Sequence, residues 1–151
     1  MTERSIEHAT FAVERVYDAS PERTFAAWSD PQAKARWYSD PEQALELDFR
    51  VGGWERHEGT LPGGHHYAYQ AVYQDIVPDR RIVYTYDMLI DGSRISVSLA
   101  TVEFAPEGDG TRLVFTEQGA FLDGYEIPAQ REHGMGSLLD LLGQQLTDQE
   151  G

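Results

Sequence analysis

Hydrophobic and polar positions along this chain follow two periods, and each marks out one part of a fold. Over 127–146, IPAQREHGMGSLLDLLGQQL, residues Met135, Leu138, Leu139, Leu142 and Leu146 recur at steps of three, one, three and four. That is one stripe at 3.6 residues per turn, so the segment predicts an amphipathic helix about 30 Å long. Pro128 falls in its first turn, where a missing N–H costs nothing. From 44 to 121 the period is two. The stretch 44–51 sets Leu45, Leu47, Phe49 and Val51 against Glu46, Asp48 and Arg50, the cleanest strand of the chain. Further strands are predicted over 54–60, 66–77, 82–88, 95–104 and 111–121. The punctuation between them is Gly52-Gly53, Pro62-Gly63-Gly64, Pro78-Asp79-Arg80, Asp91-Gly92-Ser93 and Pro106-Glu107-Gly108-Asp109-Gly110. Short turns between successive strands imply antiparallel pairing.

The N-terminal part adds a strand and two short helices. Over 9–19, Phe11, Val13 and Arg15 alternate with Ala12, Glu14 and Val16. Ser20-Pro21-Glu22 is a helix start, with a hydroxyl cap, proline at the first helical position and acid in the first turn. That helix carries Phe25 and Trp28 inward. Asp30-Pro31 stops it and opens a second, in which Ala33 and Trp37 face inward while Lys34 and Arg36 point toward water. Ser39-Asp40-Pro41 is a turn. The expected architecture is therefore α+β: about seven antiparallel strands curled around a long C-terminal helix, with two short helices after the first strand. No repeat, linker or low-complexity stretch divides residues 1–151, so one domain is expected.

Charge narrows the partners. Twelve Lys and Arg against 26 Asp and Glu leave a net charge of −14, a field that repels nucleic acid and anionic membranes. There is no cysteine, hence neither disulfide nor thiolate chemistry. No apolar run approaches the roughly 20 residues of a membrane span, and MTERSIEHA lacks the basic and apolar regions of a signal peptide. A cytoplasmic protein is expected.

In combination, several motifs carry a family likeness. They are Glu14-Arg15-Val16-Tyr17-Asp18-Ala19-Ser20-Pro21-Glu22-Arg23-Thr24-Phe25, Ala27-Trp28-Ser29-Asp30-Pro31 with Arg36-Trp37-Tyr38, and Asp48-Phe49-Arg50-Val51-Gly52-Gly53. The Pro78 to Tyr86 turn-and-strand and Val102-Glu103-Phe104 with Gly110-Thr111-Arg112-Leu113 complete the set. The chain resembles the helix-grip fold of the START-related SRPBCC superfamily, in the branch similar to the C-terminal domain of the activator of heat-shock protein 90 ATPase. Met135 stands near the place where many relatives carry a tryptophan, a softer contact. The resemblance implies a cavity between sheet and C-terminal helix. It does not imply one reaction, because the fold hosts carriers, receptors and cyclases alike.

Candidate site residues follow from pattern and likeness together. Tyr67, Tyr69, Ala71 and Tyr73 share one face of their strand, and Ile82, Tyr84 and Tyr86 share a face of the next. Such walls suit an aromatic or polycyclic ligand. For 95–104 two phases are open: Ser96, Ser98 and Ala100 inward with Val97 and Leu99 exposed, or the reverse, with a bulge allowing both. Arg131 lies on the apolar stripe one turn before Met135. Its guanidinium either enters an enclosed space, where it would meet a ligand's carboxylate or enolate, or snorkels to water. Gly134, Gly136 and Gly143 each cost roughly 1 kcal/mol in a helix interior. They mark close approach by a backbone or ligand, or else a helix that kinks or starts late. His65 and His66 read as turn residues. His133 lies opposite the leucine stripe, with Glu117 and Glu126 as conceivable acid–base partners.

The expected lining is Trp37, Phe49, Trp54, Tyr67, Tyr69, Tyr84, Tyr86, Phe115, Glu117, Arg131 and Met135. The leading function is binding of a hydrophobic or aromatic small molecule. The alternatives are a cyclase- or hydrolase-type enzyme, in which Glu117, Arg131 or His133 polarises a carbonyl, and a protein-interaction module. No HExxH or clustered ligand set is present, no cofactor or metal is expected, and a homodimer is compatible with the pattern.

Overall fold

In a computed structural model, which describes residues 4–38 and 44–148, the chain begins with β1 (Ile6–Tyr17), α1 (Pro21–Ser29) and α2 (Pro31–Tyr38). Six strands follow: β2 (Ala44–Leu47), β3 (Trp54–Thr60), β4 (His66–Val77), β5 (Arg81–Ile90), β6 (Ser93–Glu107) and β7 (Gly110–Leu122). Helix α3 (Pro128–Asp148) is the last of the described elements. All seven strands form one curved antiparallel sheet in the order β1-β7-β6-β5-β4-β3-β2. From β2 to β7 every strand pairs with its successor, and β1 closes against β7 along its whole length. This is the expected α+β helix-grip architecture. The turn read at Ser39-Asp40-Pro41 lies outside the described residues.

Local signals place the helices. Ser20 is the cap of α1, in extended conformation, and its Oγ accepts from the Arg23 amide at 3.1 Å. Asp30 ends α1 with its own N–H on the Ala26 carbonyl, and its Oδ1 accepts from the Gln32 amide at the start of α2. The strand read over 44–51 stops at Leu47. Beyond it the backbone turns back on itself, with the Gly53 amide bonded to the Arg50 carbonyl and Gly52 at φ +83°. A Cβ on Gly53 would stand 2.0 Å from the Asp48 carbonyl oxygen, so the turn admits only glycine there.

Helix α3 runs unbroken and docks by the predicted stripe. Met135, Leu139, Leu142 and Leu146 are buried, and Leu138 packs against the core from its edge. Tyr17 Oη donates to the Leu139 carbonyl at 2.7 Å, and Arg15 Nε bonds Asp140 Oδ1 at 2.8 Å. Gly134 has open space around it, and the other two helix glycines belong to this contact with β1: a Cβ at Gly143 would meet the Tyr17 ring at 3.2 Å, and one at Gly136 the Arg15 guanidinium at 3.1 Å. These two make room for side chains of the first strand. Neither a ligand nor a kink accounts for them.

Candidate functional site: a cavity between β3–β6, α2 and α3

On the inner face of the sheet, toward the β3–β6 side, lies a cavity of about 660 Å³. Trp37 and Tyr38 from α2 form one wall, with Arg36 beside them. Tyr67, Met88, Ile90 and Ile95 form the sheet side, with His57 from β3. Leu138 and Leu141 of α3 and Leu61 of the β3–β4 loop complete the apolar lining, and Glu126 and Arg131 supply a charged end. Ile95 reaches the cavity because of a bulge. The register slips between Met88 and Leu89, where Met88 pairs with Ser96 and Leu89 with Arg94, so Ile95 and Ser96 are buried side by side. Beyond the bulge Ser98, Ala100, Val102 and Phe104 face inward, and Val97 and Leu99 are exposed. The serine-inward phase is the one adopted.

The serines face inward because Arg131 and Glu117 meet them there. Arg131 is buried, against the snorkelling alternative, and all five of its N–H groups end on protein acceptors. Nη1 donates to Tyr86 Oη at 2.8 Å and Glu117 Oε2 at 3.1 Å. Nη2 donates to Ser96 Oγ and Glu126 Oε1, both at 2.8 Å, and Nε to Glu126 Oε2 at 3.0 Å. Glu117 Oε2 also accepts from Tyr86 Oη and Ser98 Oγ at 2.7 Å each, while Oε1 has no hydrogen-bond partner. Burial alone would disfavour the guanidinium's charge, but its bond to Glu126 and the nearby acidic groups outweigh this and push its pKa up. Burial, then Glu117, pushes Tyr86 far above its usual range, so its hydroxyl stays a donor.

Next to this cluster the aromatic wall is stacked. The rings of His57 and Tyr69 lie 4.3 Å apart at 21°, and those of Tyr69 and Tyr86 4.9 Å apart at 29°. The Arg131 guanidinium closes the series 5.7 Å from the Tyr86 centroid. Neither nitrogen of His57 has a hydrogen-bond partner, and burial lowers its pKa to about 4. It is therefore neutral at pH 7 and faces the cavity as a flat, weakly polar ring. Deeper, Lys34 Nζ bonds Glu55 Oε1 at 2.5 Å, with the Tyr73 hydroxyl on the same oxygen and the Tyr38 ring 4.4 Å from the ammonium.

Of the residues singled out from the sequence, the cavity lining includes Trp37, Tyr67 and Arg131. Tyr69, Tyr84, Tyr86, Phe115, Glu117 and Met135 are buried behind it, as core or as the polar cluster. Phe49 packs elsewhere, its ring 5.8 Å from Phe25 and 4.9 Å from Tyr73. Trp54 is on the outer face, with the Arg56 guanidinium 4.4 Å above its ring. On β3 the inward residues are Glu55, His57 and Gly59; hydrophobicity pointed the other way, since Trp54 is the strand's largest apolar residue. Lys34 corrects the reading of α2. It shares a buried stripe with Trp37 and Tyr38, at steps of three and one, where Ala33 and Trp37 had set the phase. His133 is exposed on the β1 side of α3, apart from Glu117 and Glu126.

Residues 18–147 match the family described as Activator of Hsp90 ATPase homolog 1-like protein. The chain belongs to this family. Its membership accounts for the SRPBCC likeness of the sequence motifs and for the helix-grip architecture. Among solved structures, an uncharacterized protein from Rhizobium leguminosarum is 46% identical, covering 97% of this chain and 99% of that one, with a TM-score of 0.92. The Mll3558 protein from Rhizobium loti is 47% identical over 94% of this chain and 99% of its own, TM-score 0.89. CalU16 from Micromonospora echinospora, at 22% identity, 99% and 88% coverage and TM-score 0.67, shares the fold. No curated protein matches the chain. Among the described residues, no helix of this family member is long and apolar enough to cross a membrane.

Proposed function

We propose that this protein binds a small hydrophobic or aromatic molecule in the cavity between β3–β6, α2 and α3. The observation that carries this reading is the cavity's make-up: about 660 Å³, walled by Trp37, Tyr38, Tyr67, Met88, Ile95 and Leu138, with Glu126 and Arg131 at one end and few other polar groups, Arg36 and His57, in the lining. Concave, mostly apolar space with a few fixed polar groups is the usual form of a small-molecule site. The aromatic stack behind the wall holds it rigid, which lowers the ordering cost of binding. The cyclase or hydrolase alternative draws less support. Glu117 is fully enclosed, Arg131 has no donor left for a carbonyl, and His133 lies elsewhere. The interaction-module alternative fits a filled interior better than this one.

The test is native mass spectrometry of the purified chain for co-purifying small molecules, followed by ligand-observed NMR with a library of aromatic fragments. Binding that disappears on Leu141→Trp, which fills the cavity mouth, is the expected result. Binding insensitive to that substitution, or none at all, would sink the reading.

A further inference from the structure

We infer that the cavity takes its ligand as an organic cation: an aromatic or apolar body ending in an ammonium or similarly strong donor, held with that donor on Glu126. The inference rests on the ligand-binding reading and adds the polarity of the ligand. A buried arginine at the end of an apolar cavity would ordinarily point to an anionic ligand. Here the geometry removes that option, because Tyr86, Ser96, Glu117 and Glu126 take all five N–H groups of Arg131. A carboxylate arriving at this end finds no donor on Arg131 and meets Glu126 instead.

Two further donors of the wall are engaged as well, while His57 keeps one N–H without a partner. Trp37 Nε1 donates to the Ala27 carbonyl at 2.9 Å, and Tyr38 Oη to Tyr69 Oη at 3.2 Å. Acceptors, by contrast, are in excess. Glu126 is partly exposed on the cavity side, and its two oxygens each accept one bond from Arg131, leaving a lone pair on each. Glu117 takes three donors on Oε2 and leaves Oε1 without a partner. By formal count Arg36 on the α2 wall balances the cavity as a whole, while two acidic side chains face one guanidinium at this end. The chain's net charge of −14 acts in the same sense, enriching cations around the mouth. Trp37, Tyr38 and Tyr67 present ring faces and edges that suit the flat body of such a molecule and, near its charged end, cation–π attraction. Arg36, exposed on α2, is the other Lys or Arg among the described lining residues. An anionic ligand would have to orient toward it.

Three isosteric naphthalenes test this on the full chain at neutral pH: 2-naphthylmethylamine, 2-naphthylmethanol and 2-naphthoate, titrated by calorimetry. The amine is expected to bind at least about tenfold tighter than the carboxylate, with the alcohol between them. Glu126→Gln should bring amine and alcohol close together, with folding checked by circular dichroism. Independently of that variant, raising the salt about tenfold should weaken the amine several-fold and leave the alcohol unchanged. Carboxylate binding as tight as the amine, or an amine affinity insensitive to salt, overturns the cationic assignment while leaving ligand binding intact. If none of the three binds, or Leu141→Trp leaves all three unaffected, the ligand-binding reading itself falls, and this inference with it.

Discussion

The ammonium of Lys34 lies 2.5 Å from Oε1 of Glu55, and each side chain is only 1% exposed. The pair joins α2 to β3 beneath the aromatic wall of the cavity, with Trp28, Tyr38 and Tyr84 rings around the ammonium. A buried pair is weak evidence for stability, but breaking one is costly, because the remaining charge has lost its compensation. Lys34→Met is therefore expected to destabilise by about 3–5 kcal/mol. Lys34→Met combined with Glu55→Leu should recover much of that loss. Urea melts of the single and double variants measure both; a single variant as stable as the parent would show that the pair is not enclosed.

His57 sets a pH dependence with a definite sign. Its folded-state pKa lies at about 4, below the ordinary 6.5, because burial disfavours the charged ring. Unfolded chains take up the proton first as the pH falls, so stability contributed by this group is complete above 6.5 and lost progressively down to about 4. The shift corresponds to roughly 3 kcal/mol. In urea unfolding across that window, His57→Phe, which keeps a ring against Tyr69, should show a shallower decline than the parent by about that amount. Superimposable profiles would contradict the burial of this histidine.

Two helix glycines should respond to alanine in opposite ways. Around Gly134 no heavy atom lies within 4 Å of an added Cβ, so Gly134→Ala should stabilise by about 0.5–1 kcal/mol through helix propensity alone. At Gly143 the added methyl meets the Tyr17 ring at 3.2 Å, and that ring is tethered by its hydroxyl to the Leu139 carbonyl. The gain should be cancelled or reversed there. Thermal unfolding of the two variants side by side decides it.

Leu142 and Leu141 are neighbours on α3 with different surroundings. Leu142 is fully buried in the core and Leu141 is 45% exposed at the cavity rim. Leu142→Ala should cost about 2–5 kcal/mol, the range for a leucine leaving a void. Leu141→Ala should change stability by about 0.5 kcal/mol or less, while widening the cavity mouth. Equal losses in chemical denaturation would mean that α3 is rotated from the orientation described.

Much of the fold could be read from local signals. The leucine stripe oriented α3, Ser20-Pro21 placed the start of α1, and the glycine- and proline-rich turns separated six strands that pair in sequence order. Each of those signals acts within a few residues, so the linear pattern contains it whole. The inward tyrosine faces of β4 and β5 were legible for the same reason. Alternation continues past Leu47 to Phe49 and predicts a strand there, but backbone bonds between Gly53, Arg50 and Asp48 turn the chain first.

By itself, then, the sequence determined the order of elements, the antiparallel sheet and the apolar face of the long helix. The tertiary structure decided which polar groups are inside. Hydrophobic periodicity says which face is buried only when that face is apolar. Lys34, Glu55, Ser96 and Arg131 are buried because of partners from other elements. Glu55 lies 21 residues from Lys34, and Tyr86 lies 45 from Arg131. A charge or hydroxyl is stable in the interior only once such a partner satisfies it. That pairing exists only after the chain has folded, and it decides the polarity of the cavity.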